Sequence, residues 1–113
     1  MGRFIYENTV GESFPVEDRV LAHLELAIAA KFRRGESFAL TLTGNELPAG
    51  QGQRAFWMHP SVPLQFKYDA DRRSIPLNPA WIAEMVATAF SDFGMRIVPE
   101  PPPARRRADE IRG

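Results

Sequence analysis

The sequence predicts an α+β fold: an antiparallel β-sheet with two helices packed on one face, in the order β-α-β-β-β-α-β. Three observations carry this prediction. Apolar residues recur at helical spacing over residues 16–34 and again over 79–89, and three stretches between them alternate apolar and polar with period two. A length of 113 residues fits one domain and is too short for a multi-motif enzyme such as a complete kinase.

Residues 3–6 read as a first short strand. The helix over 16–34 places Leu21, Leu24, Ile28 and Phe32 on one stripe, flanked by Val20 and Ala27. Glu17 and Asp18 in its first turn, and Lys31, Arg33 and Arg34 in its last, match the helix dipole, with Gly35 as the C′ residue. His23 falls opposite Leu21 and Ile28 on this wheel and is expected to be exposed. Strands follow over 37–43, 53–59 and 62–69. Their apolar sides are Phe38, Leu40, Leu42, Phe56, Met58, Leu64 and Phe66. Asn78 caps a second helix with Pro79 in its first position, and Trp81, Ile82, Met85, Val86 and Ala89 cover one side. Residues 95–98 form a last short strand.

Residues 1–98 are therefore expected to form the domain. From residue 99 the chain reads PEPPPARRRADEIRG, a proline- and arginine-rich stretch with little to bury, expected to be a disordered tail. Lys plus Arg and Asp plus Glu each number 14, so the formal net charge is zero and favours no nucleic-acid coat. The absence of cysteine excludes disulfides, thiolate catalysis and sulfur-ligated zinc. No run approaches the roughly 18 apolar residues of a membrane helix, and the opening MGRFIYENTV has no apolar signal core. These features point to a cytoplasmic protein without a membrane partner.

The strand pattern places Thr41, Thr43, Trp57, His59, Gln65 and Lys67 on the sheet's open face. An exposed Trp beside an imidazole and an ammonium is a stacking surface with polar specificity. The alternative is a face covered by the tail, a loop or a second subunit, or a Trp57 that completes a second small core. The two histidines, His23 and His59, have no metal-pair spacing, so no metal site is expected.

A second constellation is Lys67-Tyr68-Asp69-Ala70-Asp71-Arg72. It resembles the K-x-D-G-x-R signature of ATP-dependent DNA ligases and related nucleotidyltransferases, with Ala70 in the glycine position. Over residues 1–101 the chain also resembles a family of small uncharacterised actinobacterial proteins often named ATP-dependent DNA ligase. That likeness rests on Gly2-Arg3-Phe4-Ile5-Tyr6, Glu17-Asp18-Arg19-Val20-Leu21-Ala22-His23-Leu24, Arg33-Arg34-Gly35-Glu36, Trp57-Met58-His59-Pro60, Leu77-Asn78-Pro79-Ala80-Trp81 and Val98-Pro99-Glu100-Pro101. The signature implies ATP and Mg²⁺ as cofactors, Lys67 as the adenylylated nucleophile, and Asp69 and Arg72 as its motif partners.

Three readings follow. The first is a binding or accessory module using Trp57, His59 and Lys67, with Asp69 and Arg72 beside them, toward a protein, a second copy or a nucleotide-containing ligand. The second is a ligase-like or ligase-associated nucleotidyltransferase. The third is a small DNA-associated protein contacting phosphate through Arg105, Arg106 and Arg107.

Overall fold

The first strand, β1 (Gly2–Tyr6), becomes the middle of a three-stranded antiparallel sheet. Its neighbours are β2 (Ser13–Val16) and β5 (Leu64–Lys67), in the order β2-β1-β5. The computed structural model describes residues 1–7, 13–44, 47 and 52–103. A second antiparallel sheet pairs β3 (Phe38–Leu42) with β4 (Arg54–Met58). Two helices, α1 (Asp18–Arg33) and α2 (Pro79–Thr88), complete the α+β fold, with a short 3-10 turn at Arg72–Ser74 between β5 and α2. No helix among the described residues is long and apolar enough to cross a membrane.

Three details of the expected architecture are corrected. The strands divide into two sheets where one was expected. β2 was not anticipated, and residues 95–98 contribute only one parallel bridge, Met95 to Leu40. β2 is hard to read because Pro15 interrupts it. The hydrogen bond from Glu7 N–H to the Pro63 carbonyl (2.8 Å) fixes the phase of the β1–β5 ladder, so Arg3 and Ile5 bond toward β5. Gly2 and Phe4 must then bond toward β2, and Pro15, opposite Arg3, faces the outer edge where its missing N–H costs no ladder bond.

One core serves both sheets. Phe4 contacts Phe14, Phe56 and Phe66 with ring centroids 5.7–6.4 Å apart, so an aromatic cluster joins β1, β2, β4 and β5. Gly2 is needed there. A Cβ on it would lie 2.6 Å from the Lys67 carbonyl and 2.8 Å from Leu21 Cδ2.

α1 ends as the sequence indicates. Gly35 at φ +71 donates to the Phe32 carbonyl (2.9 Å) and Glu36 N–H to that of Lys31 (3.2 Å), a Schellman closure. Its burial is wider than one stripe. Leu21, Leu24 and Ile28 are buried, and so are Ala22, His23, Ala27 and Lys31, because α2 packs along a second side. His23 is fully buried, which overturns its expected exposure, and its ring lies 4.4 Å from that of Trp81.

At the start of α2, the Asn78 side chain accepts from Ala80 N–H (3.1 Å) with Pro79 following, as expected. Its amide donates to the Pro101 carbonyl (2.9 Å) and to Glu100 (3.0 Å), while Trp81 Nε1 donates to the Val98 carbonyl (2.8 Å). Glu100 also pairs with Arg19 at 2.6 Å. Residues 98–101 are thus held against both helices. The arginine run at 105–107 lies outside the described residues.

Candidate functional site

Trp57 is the most prominent candidate from the sequence, and it is 61% exposed on β4. Its backbone is fixed on both sides: the flanking Phe56 and Met58 pair with Leu40 and Phe38 of β3, and its own carbonyl accepts from the Tyr6 hydroxyl at 2.6 Å. The ring is therefore carried outward on a rigid strand.

The turn after α2 brings two more aromatics to the same side. Met95 N–H donates to the Ala39 carbonyl and Thr41 N–H to that of Met95, both at 2.8 Å, while the Thr41 hydroxyl donates to the Phe93 carbonyl at 2.6 Å. The turn is laid along the outer edge of β3. Gly94 makes this approach possible: it has φ +78, and a Cβ on it would lie 2.6 Å from the Ala39 carbonyl oxygen. Phe90 and Phe93 are left 69% and 73% exposed.

Two adjoining clefts result. One of about 400 Å³ is lined by Lys31, Glu36, Trp57, Phe90 and Asp92 among others. The second, of about 320 Å³, includes Thr41, Gln53 and Phe93. They share Ala39 and Asp92, so the three exposed rings surround one patch of β3. Single exposed apolar side chains are ordinary, whereas three exposed aromatics around one patch make a contiguous apolar surface.

The polar floor is built from α1. Lys31 is 3% exposed, its ammonium 2.8 Å from Glu36 Oε1 and 4.1 Å from the centroid of Phe90. Its buried charge is balanced by a carboxylate and by the negative face of an aromatic ring. Lys31 in turn holds the Glu36 carboxyl below the usual glutamate range. The nearby Ser91 hydroxyl donates to the Thr88 carbonyl at 2.7 Å rather than to a base.

The other sequence candidates lie elsewhere or are otherwise engaged. His59 is exposed at the end of β4, and its Nδ1 accepts from Ser61 N–H (3.1 Å) and meets the Ser61 hydroxyl (2.7 Å), closing the turn to β5. Lys67 is exposed but sits on β5 in the other sheet, opposite Arg3, so one continuous face with Trp57 does not form. β5 ends at Lys67, so Asp69 does not share its strand face. The Asp69 carboxylate pairs with the N-terminal ammonium, which holds it below the usual aspartate range. The N–H groups of Asp69 and Ala70 donate to Asp18 at 3.3 and 2.8 Å, tying this turn to the start of α1. Arg72 lies 3.5 Å from Glu25, which also accepts from the Tyr68 hydroxyl at 2.6 Å. Burial, then the Glu25 carboxylate, push that hydroxyl's pKa well up.

Sequence reasoning missed Lys31, Phe90 and Phe93. For Lys31 there was a signal: it lies three residues after Ile28 and seven after Leu24, on the buried stripe. For the two phenylalanines the hint was weaker, a pair of rings flanking Ser91-Asp92 just before a glycine.

A family model described as a domain of unknown function, DUF7882, matches residues 1–100. No curated protein and no solved structure matches the chain.

Proposed function

The chain belongs to the DUF7882 family of domains of unknown function, and from this premise we propose that it is a non-catalytic, cytoplasmic binding module whose working surface is the Trp57–Phe90–Phe93 face. The observation that carries the reading is the convergence of three exposed aromatic rings on Ala39 and Asp92, with the Trp57 and Phe93 carbonyls held by the Tyr6 and Thr41 hydroxyls and the Phe90 N–H by the Ala87 carbonyl. Rigid aromatics give large contact area at small entropic cost, which is the character of a protein-binding hot spot. The exposed Asp92 side chain, beside a Lys31 and Glu36 that pair with each other, favours a partner that offers an apolar side chain beside a basic one.

Photo-crosslinking in the source cells tests this. A benzophenone amino acid at Trp57 or Phe90 is expected to give the same discrete adduct, and at the 90%-exposed Arg73 none. Equal adducts at all three positions, or none at any, would overturn the reading.

The nucleotidyltransferase alternative draws less support. Lys67 stands apart from the clefts, and Asp69 and Arg72 are engaged in ion pairs of their own. Intact mass after incubation with ATP and Mg²⁺ decides this. A stoichiometric adenylyl adduct that disappears in Lys67→Ala would replace the binding module with a nucleotidyl acceptor.

A further inference from the structure

β5 is an edge strand, and the phase of its ladder determines which backbone groups face outward. Arg3 and Ile5 bond to Lys67 and Gln65, so the N–H and C=O groups of Leu64 and Phe66 point away from β1. Neither residue makes a further backbone hydrogen bond among the described residues. The side chains of the same two residues, only partly buried, line an apolar groove of about 260 Å³ between β5 and α1, whose other walls include Ile28, Phe32 and Val62. An open strand edge lies beside an apolar groove on one side of the molecule.

We propose that this edge pairs with the same edge of a second copy, antiparallel across a two-fold axis through Gln65, making a six-stranded sheet β2-β1-β5-β5-β1-β2. The register is dictated by the outward groups. Leu64 of each copy faces Phe66 of the other in hydrogen-bonded pairs, and Gln65 faces Gln65 in the non-hydrogen-bonded pair between them. The charge pattern tolerates this pairing. Lys67 falls opposite Pro63 of the second copy rather than another lysine, and Pro63 has no N–H to lose there. The chain's formal net charge of zero adds no long-range repulsion between copies.

Area sets how far the contact between the two copies must extend. A stable dimer buries about 1,200–2,000 Å² in total, more than two four-residue strands supply by themselves. Two-fold pairing keeps Leu64 and Phe66 of both copies on the α1 side of the sheet. The second copy's pair then enters the groove beside Phe32 and Val62 and covers those walls as well. This surface is separate from the aromatic face, so either inference stands if the other fails.

The chain has no cysteine, which makes the test clean. Opposed residues of a non-hydrogen-bonded antiparallel pair have Cα atoms about 4.5 Å apart, inside the range of about 4.4–6.8 Å for a disulfide. Full-length Gln65→Cys is expected to oxidise to a disulfide dimer at least ten-fold faster than Lys67→Cys. The unmodified chain is expected to sediment as a concentration-dependent dimer. Gln65→Lys and Gln65→Glu, at an exposed position and with the fold of each checked by its urea midpoint, are expected to weaken self-association, the first more strongly, and to form a heterodimer when mixed. A chain that sediments as a monomer into the high-micromolar range would overturn the proposal. So would a dimer that survives Gln65→Lys and is lost in Trp57→Ala.

Discussion

The backbone N–H of Asn78 donates to Nε2 of His23 across 2.8 Å, at a point where both residues are buried. Because a backbone N–H can only donate, Nε2 must be bare, and the ring proton sits on Nδ1, 2.7 Å from the Arg19 carbonyl that accepts it. One neutral imidazole thus joins α1 to the cap of α2.

His23→Phe keeps a ring against Trp81 but leaves the Asn78 N–H buried without an acceptor. A loss of about 1–3 kcal/mol is expected, lowering Tm by about 4–8 °C for each kcal/mol in a domain of this size. His23→Ala adds a cavity and is expected to cost more. Urea unfolding of both variants checks this. A change below about 0.5 kcal/mol would be the behaviour of an exposed residue.

The two tryptophans should behave in opposite ways. Trp81 is 4% exposed and hydrogen-bonded to Val98, so Trp81→Ala is expected to cost about 3–5 kcal/mol. Trp57 is mostly exposed, and Trp57→Ala is expected to change stability by no more than about 0.5 kcal/mol. Acrylamide quenching of the single-tryptophan variants Trp57→Phe and Trp81→Phe gives an independent reading. Strong quenching is expected only where Trp57 remains.

Gly94 and Gly35 both have positive φ but differ in surroundings. A Cβ on Gly94 would strike the Ala39 carbonyl, whereas nothing lies within 4 Å of one on Gly35. Gly35→Ala is expected to cost about 1–2 kcal/mol of left-handed strain. Gly94→Ala is expected to cost on the order of 2–3 kcal/mol and to lift the Phe90–Phe93 turn from β3. Thermal melts rank the two, and Trp57 emission reports the displaced turn. Equal costs would mean that the close contact with Ala39 contributes nothing.

Acid should weaken the fold through Glu36 and Glu100. Lys31 holds the first, and Arg19 with Asn78 the second, below the usual glutamate value of 4.5. With folded-state pKa values depressed, the unfolded chain takes up these protons first as pH falls. Their contribution is complete above the unfolded value and is lost as pH drops through the folded values. The urea midpoint is therefore expected to be flat above about pH 5 and to fall below it. A combined Glu36→Gln and Glu100→Gln variant should show a shallower acid limb. An unchanged limb would place the acid sensitivity in other carboxylates.

Much of the local structure was legible in the sequence. The body and C-terminal end of α1, the Gly35 closure, the Asn78–Pro79 start of α2 and the three central strands follow from periodicity and end chemistry, which act within a few residues, whereas Val16, expected in the helix, ends β2. Exposure of Trp57 followed from the same alternation. Within the candidate site, one of the three rings was readable, since Phe90 and Phe93 belong to a turn whose position depends on β3.

What the sequence by itself determined was which segments become helix and strand and which side of each is apolar, because these depend on backbone propensity and side-chain spacing. Tertiary structure alone decided how those segments meet. It split the strands into two sheets, separating Lys67 from Trp57, and laid α2 along a second side of α1, which buried His23. Strand pairing and helix contact join residues tens of positions apart. Their outcome depends on which backbone donors and apolar surfaces find partners across the whole chain, a condition no local period encodes.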